Sequence, residues 1–287
     1  MPELPEIETV KLQLGRALVG RKFTGVEVRS KKNVQGHLEG LAGLKVTGVR
    51  RKAKVLLVDF EKDLTLAFHF KMTGQLILDQ DDDGKTWRDR IVGGHPTEDY
   101  ENPMPGKHTR VIFKLDRGTL YFNDQRMFGW VILDTTLNIE HLTFLKNLGP
   151  EPFDIDEKEF ARRVAKSKKP IKLVLMDQEV ISGVGNIYAN DACWEAKVNP
   201  RRAANTLTAK QYADLYKGVI EVLNEGIKYG GASYSDYVNA HGLGGHYQEH
   251  FRTYGREGEE CLRGDGGIIH KFDLGGRGTY VCPRCQE

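Results

Sequence analysis

The sequence lacks three things: a long apolar run, a large number of cysteines and a marked excess of charge of either sign. No stretch approaches the roughly 20 apolar residues that a membrane-spanning helix needs, and the charged N-terminal segment has no apolar centre like that of a signal peptide. Four cysteines in 287 residues are too few and too unevenly placed for the disulfide framework of a secreted protein. We therefore expect a cytoplasmic protein that has no membrane partner.

The positive charges are clustered, although the formal net charge is only +2. Four basic residues lie between Arg50 and Lys54, and six more lie between residues 162 and 172 with no acid among them. A single basic run is usually a solvated surface, but two runs in a nearly neutral chain favour a partner that carries phosphate groups.

The pattern of apolar residues predicts an α+β protein of two domains. At 287 residues the chain exceeds one typical hydrophobic core. Apolar residues recur at helical spacing over residues 4–19, and short β-rich runs separated by Gly, Asp and Asn follow from about 22 to 134. These patterns predict an N-terminal helix and an antiparallel β-sandwich. The polar segment between Leu78 and His108 is expected to be a surface loop.

The second half of the chain has a helical period, and its last residues return to a turn-rich pattern that predicts a small β-hairpin. The expected divisions are a β-sandwich domain over 1–135, a linker over 136–150, a helical domain over 151–250 and a hairpin over 251–287.

The N-terminal stretch MPELPEIETV places a proline and two carboxylates together. Removal of Met1 would make Pro2 a terminal secondary amine. Far more of such an amine than of a lysine is unprotonated at neutral pH, and it can then attack a sugar carbon. Glu3 could then act as an acid, and Glu6, one helical turn further, could move protons. From these ten residues alone, a helix start with acidic capping is the favoured interpretation.

Five separated motifs resemble those of the formamidopyrimidine-DNA glycosylase family, in the family's order and over essentially the whole chain. After MPELPEIETV they are VRRKAKVLLVDF, HFKMTGQL, YFNDQRMFGW, LMDQEVISGVGNIYAND and LGGRGTYVCPRCQ. The resemblance implies a helix-two-turn-helix in the helical domain, a zinc-ribbon-like hairpin after it, and a lesion-recognition loop at about 230–245.

The resemblance also implies roles for individual residues. It implies catalytic roles for Pro2, Glu3, Glu6, Lys54 and Arg277. It implies DNA contacts for Met72, His108, Arg126, Phe128, Lys166, Lys168, Asn186 and Arg277. Other interpretations stay open. Met72 and Phe128 could be core residues, Asn186 could be a helix N-cap, and Lys54 could belong to a solvated strand.

The family's hairpin carries four cysteine ligands for zinc, and this chain has three of them, Cys261, Cys282 and Cys285. Asp265 or His270 could supply the fourth ligand, or the hairpin could lack zinc. Cys193, on a predicted helix, is interpreted as a buried small apolar residue. No redox or nucleotide cofactor is expected.

The expected function is therefore a monomeric DNA glycosylase and abasic-site lyase that excises oxidised purines from double-stranded DNA through a Schiff base on Pro2, followed by β,δ-elimination. One alternative is a glycosylase of the endonuclease VIII type for oxidised pyrimidines. Another is a damaged-DNA-binding protein without activity, against which the combination of Pro2, Glu3 and Glu6 argues, since binding alone requires none of them.

Overall fold

A computed structural model describes residues 1–80, 90–95, 101–232 and 245–287, and the chain divides into two compact units. Unit 1 comprises Met1–Lys146 and Tyr229–His246, and unit 2 comprises Asn147–Lys228 and Tyr247–Glu287. The predicted α+β class is confirmed. The expected lesion-recognition loop lies mostly in 233–244, outside the described residues.

Helix α1, Leu4–Leu18, opens unit 1 as the sequence predicts. Pro5 lies in its first turn, where a missing amide hydrogen is no loss, and Glu6 lies near the positive end of the helix dipole. The helix ends before Val19 and buries one apolar side, including Ile7, Val10 and Leu14. This side packs into the core of the sandwich.

Within the described residues of unit 1, ten strands form two five-stranded sheets. They are β1 Phe23–Val28, β2 Val34–Gln35, β3 Val46–Lys52, β4 Val55–Phe60, β5 Leu64–His69, β6 Gly74–Asp79, β7 Ile91–Gly94, β8 Thr109–Leu115, β9 Thr119–Asp124 and β10 Trp130–Thr135. The sheet orders are β1-β8-β9-β6-β7 and β2-β10-β5-β4-β3. All neighbours are antiparallel except β10 and β2, which confirms the predicted sandwich.

The core of unit 1 lies between the two sheets and under α1. Alternate strand residues face it, as the two-residue period of a strand requires. Phe68 of β5, for example, packs against Phe113 of β8 and Phe122 of β9 with ring centroids 5.9 Å apart in both pairs.

The prediction of a surface loop between Leu78 and His108 is wrong for residues 90–95. Ile91–Gly94 forms the edge strand β7, which pairs with β6, and Arg90 is buried in an ion pair with Asp79 at 3.2 Å. Val92 joins Ile77, Ile112 and Tyr121 in a small apolar cluster on the outer side of the sheet. A strand of only four residues between polar flanks is too short for the sequence pattern to reveal.

The segment expected as a linker forms two short helices that belong to unit 1, α2 Thr136–Glu140 and α3 Thr143–Lys146. Thr135 caps α2, since its side chain accepts a hydrogen bond from the Asn138 amide at 3.2 Å.

Unit 2 is mainly helical and ends in a two-stranded hairpin, as predicted. Its helices are α4 Glu157–Val164, α5 Ile171–Leu175, α6 Asn186–Glu195 and α7 Ala209–Lys228, and its strands are β11 His270–Asp273 and β12 Gly278–Val281. Cys193 of α6 is fully buried, and burial raises the pKa of its thiol to about 12, which agrees with its interpretation as an apolar residue. Within the described ranges, no helix has both the length and the apolar character needed to cross a membrane.

Candidate active site and metal centre

The residues at the start of α1 are buried, while the residue before them is open to solvent. Met1 is 42% exposed, whereas Pro2 is buried and Glu3 is only 2% exposed. A buried carboxylic acid next to a proline at a helix start is unusual, because acidic side chains are rarely buried unless they are paired. The acidic capping predicted from the sequence is confirmed, since Glu3 and Glu6 form a capping box at this helix start.

Glu6 is held by two backbone amides. Its Oε2 accepts a hydrogen bond from the Glu3 amide at 2.7 Å as part of a capping box, and its Oε1 accepts one from the Ala232 amide at 2.8 Å. Gly231 has a φ of +87°, and a Cβ there would lie 2.8 Å from Glu6 Oε1. Glu6 thus joins the N-terminal segment to the chain that enters the region of the predicted lesion-recognition loop.

A cavity beside Glu6 is lined by α1 residues between Glu6 and Gln13, by Val92–Gly94 of β7, and by Gly230, Ala232 and Gly245. Strand β7, which the sequence did not reveal, therefore contributes to the surroundings of the predicted active site.

Lys54 lies in the tight turn between β3 and β4 and is only 5% exposed. The turn places Ala53 at a φ of +50°, and Arg51 supports it by donating to the Ala53 carbonyl at 3.0 Å and to Glu8 Oε2 of α1 at 2.8 Å. Lys54 is therefore a buried cation in a fixed turn, and not part of a solvated strand.

His69, at the end of β5, is neutral. Burial first, and then the charges of Lys71 and Lys54, lower the pKa of His69 to about 3. Its Nδ1 accepts a hydrogen bond from the Lys71 amide at 3.0 Å, so the ring hydrogen lies on Nε2. Lys71 itself has a φ of +49° and belongs to the turn that carries Met72.

The two loops with the predicted wedge residues are hydrogen-bonded to each other through Thr73 and Asp124. Thr73 donates to Asp124 Oδ1 at 2.5 Å and accepts from the Arg126 amide at 2.9 Å, while Asp124 Oδ2 accepts from the Gly129 amide at 2.7 Å. These bonds fix both ends of the loop 125–128.

The side chains carried by these loops are accessible. Phe128 is 52% exposed, Arg126 is exposed with its guanidinium 4.9 Å from the centroid of the Phe128 ring, and Met72 is half-buried. The open interpretation of Phe128 as a core residue is therefore wrong. His108 is half-buried, and its carbonyl accepts from the Asp124 amide at 2.9 Å.

In unit 2, Asn186 is the first residue of α6, and Gly185 is the N-cap. The interpretation of Asn186 as an N-cap is therefore wrong. Its Nδ2 donates to the Gly278 carbonyl at 3.2 Å, and this amide nitrogen carries a second hydrogen that remains for another acceptor. Arg277, the neighbour of Gly278, is exposed in the turn between β11 and β12.

The basic run 162–172 divides into exposed and buried cations. Lys166 and Lys168 are exposed after the end of α4. Lys172, by contrast, is fully buried and donates to the Gly278 carbonyl at 3.0 Å and to Thr279 Oγ1 at 2.7 Å. These hydrogen bonds fix the hairpin turn next to Arg277. The composition of the basic run 162–172 gave no indication of this role for Lys172.

Three thiols and one carboxylate meet at the base of the hairpin. Within the described part of the chain, the ligand atoms of Cys261, Asp265, Cys282 and Cys285 all lie within 4.8 Å of one another and could hold a metal ion. The Gly267 amide, and after it the three thiols, hold the pKa of Asp265 below its usual range. His270 is exposed on β11 and is not a member of this group.

The spacing of the group suits a tetrahedral ion. Ligands at about 2.3 Å for sulfur and 2.0 Å for oxygen would lie about 3.8 Å apart for two sulfurs and about 3.5 Å apart for sulfur and oxygen. The observed separations are 3.9 Å between the Cys261 and Cys285 sulfurs and 3.4 Å between Cys282 Sγ and Asp265 Oδ2. The Trp194 ring nitrogen also donates to the Cys261 sulfur at 3.4 Å, which orients this thiol.

Comparisons with known proteins agree with these features. The family model of the formamidopyrimidine-DNA glycosylase N-terminal domain matches residues 1–131, and that of the H2TH domain of the same enzyme matches residues 148–238. The chain is 38% identical over 295 residues to the formamidopyrimidine-DNA glycosylase of Pelotomaculum thermopropionicum, covering 100% of this chain and 99% of that one. It is 36% identical over 294 residues to that of Streptococcus pneumoniae, with the same coverage.

Two solved structures cover the whole chain and are covered by it completely. One is a Lactococcus lactis Fpg mutant in complex with DNA that contains Fapy-dG, with a TM-score of 0.85 and 33% identity. The other is Lactococcus lactis Fpg in complex with DNA that contains an abasic site, also with a TM-score of 0.85 and 33% identity. Since similarity in sequence and in fold extends over the full length, the chain belongs to the formamidopyrimidine-DNA glycosylase family.

Proposed function

We propose that the protein is a bifunctional DNA glycosylase and abasic-site lyase of base excision repair, which removes oxidised purines such as 8-oxoguanine and formamidopyrimidines. Membership of the family makes it a DNA glycosylase. The single observation that carries the finer proposal is the arrangement at the start of α1, where buried Pro2 is followed by two buried carboxyl groups, Glu3 and Glu6.

The proposed nucleophile is the amine of Pro2 after removal of Met1. A terminal amine has a far larger unprotonated fraction near neutral pH than a lysine has, and the lone pair of that fraction can attack C1′ of the sugar. As the new N–C1′ bond forms, the bond between C1′ and the base breaks, and Glu3 gives a proton to the departing base or to the ring oxygen. The nitrogen then loses its proton to the Glu3 carboxylate. Its lone pair forms the iminium as the C1′–O4′ bond breaks, and Glu3 returns the proton to the released ring oxygen.

The iminium makes the hydrogens on C2′ acidic, because the positive nitrogen stabilises the carbanion that forms when one of them leaves. Loss of this proton expels the 3′ phosphate, and a second elimination expels the 5′ phosphate. Glu6 is the proposed proton carrier for these steps. Its two amide hydrogen bonds hold the carboxyl group in a fixed position at the start of α1.

Access to C1′ requires the damaged nucleotide to leave the base stack. We propose that Met72 and Phe128 fill the space it leaves and that Arg126 pairs with the base opposite. Extrusion costs a few kcal/mol, which apolar side chains in the stack offset in part. The exposure of Phe128 and Arg126 on a loop fixed at both ends supports this proposal.

The proposed contacts to phosphate come from both units. Lys54 and His108 belong to unit 1, and Lys166, Lys168, Asn186 and Arg277 belong to unit 2. Asn186 lies where α6 begins, so that backbone amides and the second Nδ2 hydrogen can act together on one phosphate. Binding should weaken steeply with salt, as counterion release requires.

Zinc is the proposed ion at the hairpin, with Cys261, Cys282, Cys285 and Asp265 as its ligands. Three thiolates favour zinc over magnesium or calcium, and carboxylate oxygen is a ligand that zinc accepts. The ion would hold the two ends of the hairpin together and so keep Arg277 in place. A cytoplasmic location and a monomeric state remain part of the proposal.

The test is borohydride trapping on a duplex with 8-oxoguanine, comparing the wild type with Pro2→Gly and Glu3→Gln. We expect a covalent adduct for the wild type whose peptide mass locates it on Pro2 and shows the loss of Met1, and we expect little adduct for either variant. Repeating the assay on a duplex that contains an oxidised pyrimidine distinguishes this proposal from the endonuclease VIII alternative. Tight binding without an adduct or strand cleavage, also on abasic DNA, would leave a damage-binding protein.

A further inference from the structure

Lys71 lies in the turn that joins β5 to β6 and carries Met72. A hydrogen bond from the Gly74 amide to the Phe70 carbonyl closes this turn at 2.8 Å. The Lys71 amide donates to His69 Nδ1 at 3.0 Å, and its φ is +49°. The backbone of Lys71 is therefore fixed, and so is the direction in which its side chain leaves the turn.

The side chain of Lys71 lies against a cluster of aromatic rings. Its Nζ is 5.2 Å from the centroid of the Phe144 ring, which it overlies. Phe144 is 38% exposed, and its ring packs edge-on against the rings of His69 and Trp130, with centroids 5.3 Å and 6.2 Å away. Because the face of an aromatic ring attracts a cation, Phe144 holds the ammonium group at the surface of unit 1.

In the part of the chain that the structure describes, the Lys71 ammonium has no hydrogen-bond acceptor and no carboxylate at ion-pair distance. Lys71 is half-buried, and burial lowers the pKa of this ammonium group. The face of Phe144 attracts the charge, but it has no lone pair that could accept a hydrogen bond. Three N–H donors of a partly desolvated cation are thus available to an anion.

A second cation lies near the same histidine. Besides burial, which acts most strongly, the charges of Lys71 and Lys54 lower the pKa of His69 to about 3. Both ammonium groups therefore lie close to an imidazole that stays neutral. Two cations around one neutral ring give this part of unit 1 a positive potential, which favours a polyanion.

We propose that Lys71 is a further DNA-binding residue: its ammonium group, held by the Phe144 ring, binds a backbone phosphate next to the nucleotide that leaves the base stack. This inference rests on the proposed function, in which the adjacent Met72 fills the space of that nucleotide. Phosphate is the anion that duplex DNA presents along its whole surface. A contact at this point would hold the backbone beside the gap while the nucleotide rotates outward, which the apolar Met72 and Phe128 cannot do.

The experiment measures the dissociation constant for a duplex with an abasic-site analogue at several salt concentrations. Each phosphate that a cation neutralises adds about 0.9 to the magnitude of the slope of log affinity against log salt. Lys71→Met removes the charge but keeps an unbranched side chain that can cover Phe144. We expect the magnitude of the slope to fall by about 1, and the affinity at low salt to fall by about three- to tenfold. Lys71→Arg keeps the charge and should keep the wild-type slope.

Two further variants test the support by Phe144 and the specificity of the effect. Phe144→Leu keeps the ammonium group but removes the ring beneath it, so binding at low salt should weaken by about two- to fivefold with an unchanged slope. The matched control is Lys62→Met, at an exposed lysine in the turn before β5, at the opposite end of that strand from Lys71. Its slope should stay within about 0.3 of the wild-type slope.

A wild-type slope and affinity in Lys71→Met, or an equal loss of slope in Lys62→Met, would overturn the phosphate contact of Lys71. If Lys71→Met does not fold, the neutral variant Lys71→Gln is measured against the same expectations. Borohydride trapping of the wild type on 8-oxoguanine DNA separates this outcome from a failure of the proposed function. A wild type that forms no adduct at Pro2 would overturn the proposed function, whatever the salt slopes of the Lys71 variants.

Discussion

Glu6 in unit 1 and Asp265 in unit 2 are both carboxylates at sites where chemistry or binding is proposed, yet their partners differ. Both oxygens of Glu6 accept backbone amides, from Glu3 at 2.7 Å and from Ala232 at 2.8 Å. Asp265 accepts one amide, from Gly267 at 2.8 Å, and its other neighbours are the sulfurs of three cysteines. Amide donors satisfy a carboxylate as they stand, whereas thiols that lose their protons require a cation.

This difference separates two ways of holding a carboxyl group. The backbone around Glu6 determines its position before any ligand arrives, so Glu6 is preorganised for its proposed role in proton transfer. For Asp265, the proposed zinc ion would complete the set of partners. The predictions that follow test each side of this comparison, beginning with the metal site, where we expect the largest effect.

The largest effect on stability should come from removal of the proposed metal ion from unit 2. A strong chelator should reduce the free energy of unfolding by several kcal/mol, because structural zinc contributes directly to folding. Asp265→Ala should weaken zinc binding by more than about 100-fold, since even residues that only orient ligands contribute 10- to 100-fold. Competition with a metal indicator measures the affinity, and Asp273→Ala on the same hairpin is the control. Unchanged zinc affinity in Asp265→Ala would show that the carboxylate is not a ligand.

Substitution at Glu6 should have the next largest effect on stability. In Glu6→Gln, one carboxylate oxygen becomes an NH2 group that meets a backbone N–H, so a buried amide loses its acceptor. We expect the free energy of unfolding to fall by about 1–3 kcal/mol, measured by urea denaturation. Glu39→Gln, at an exposed carboxylate of unit 1, is the control and should change little. A Glu6→Gln variant as stable as the wild type would contradict the two-amide arrangement.

A smaller effect on stability is expected when the hydrogen bonds between the turn that carries Met72 and the loop 125–128 are removed. Thr73→Val keeps the shape but removes the donor to Asp124 and the acceptor for the Arg126 amide. The free energy of unfolding should fall by about 1 kcal/mol. The rate of base excision from a duplex should fall by a larger factor than the rate of strand cleavage on single-stranded abasic DNA. Thr119→Val on β9 is the control. An equal loss on both substrates would argue against a role in opening the duplex.

The smallest effect should be a pH dependence at Glu8. Burial acts to raise the pKa of Glu8, but hydrogen bonds from Lys11 and Arg51, together with their charges, outweigh it and lower the pKa below 4.5. A lowered folded pKa adds stability that is complete above the unfolded value and is lost as the pH falls through the folded value. Glu8→Gln should therefore be less stable than the wild type by up to about 1 kcal/mol at pH 7, and the gap should narrow as the pH falls below 4.5 and through the lowered pKa of Glu8. A gap that stays constant down to pH 3 would exclude this linkage.

The sequence was a good guide where a feature depends on periodic patterns or on residues close in the chain. The helix Leu4–Leu18, the alternation in the sandwich and the terminal hairpin all followed from local order. Phe128, for which the resemblance implies a DNA contact, is exposed, whereas the position of Lys54 in a turn was not predicted. Strand β7 was missed, because four residues with two glycines carry no period and form a strand only by pairing with β6.

Residues whose role depends on distant partners could not be predicted. Nothing near Lys172 indicates that it is fully buried against Gly278 and Thr279, more than 100 positions away. Likewise, the N-cap of α6 is Gly185, because the Asn186 side chain instead donates to Gly278 in the hairpin. Each is a hydrogen bond across the fold, and such bonds are invisible to spacing rules.

By itself, the sequence determined which chemical groups are available. They are a proline and two carboxylates at one helix start, three cysteines around a hairpin, and basic and aromatic residues in turns. These follow from residue type and local geometry. Only the tertiary structure decided which groups meet, as when Glu6 receives the Ala232 amide, Asp265 joins the cysteines, and Lys172 donates to Gly278. Strand pairing and burial bring these groups together, and both depend on contacts between residues far apart in the chain.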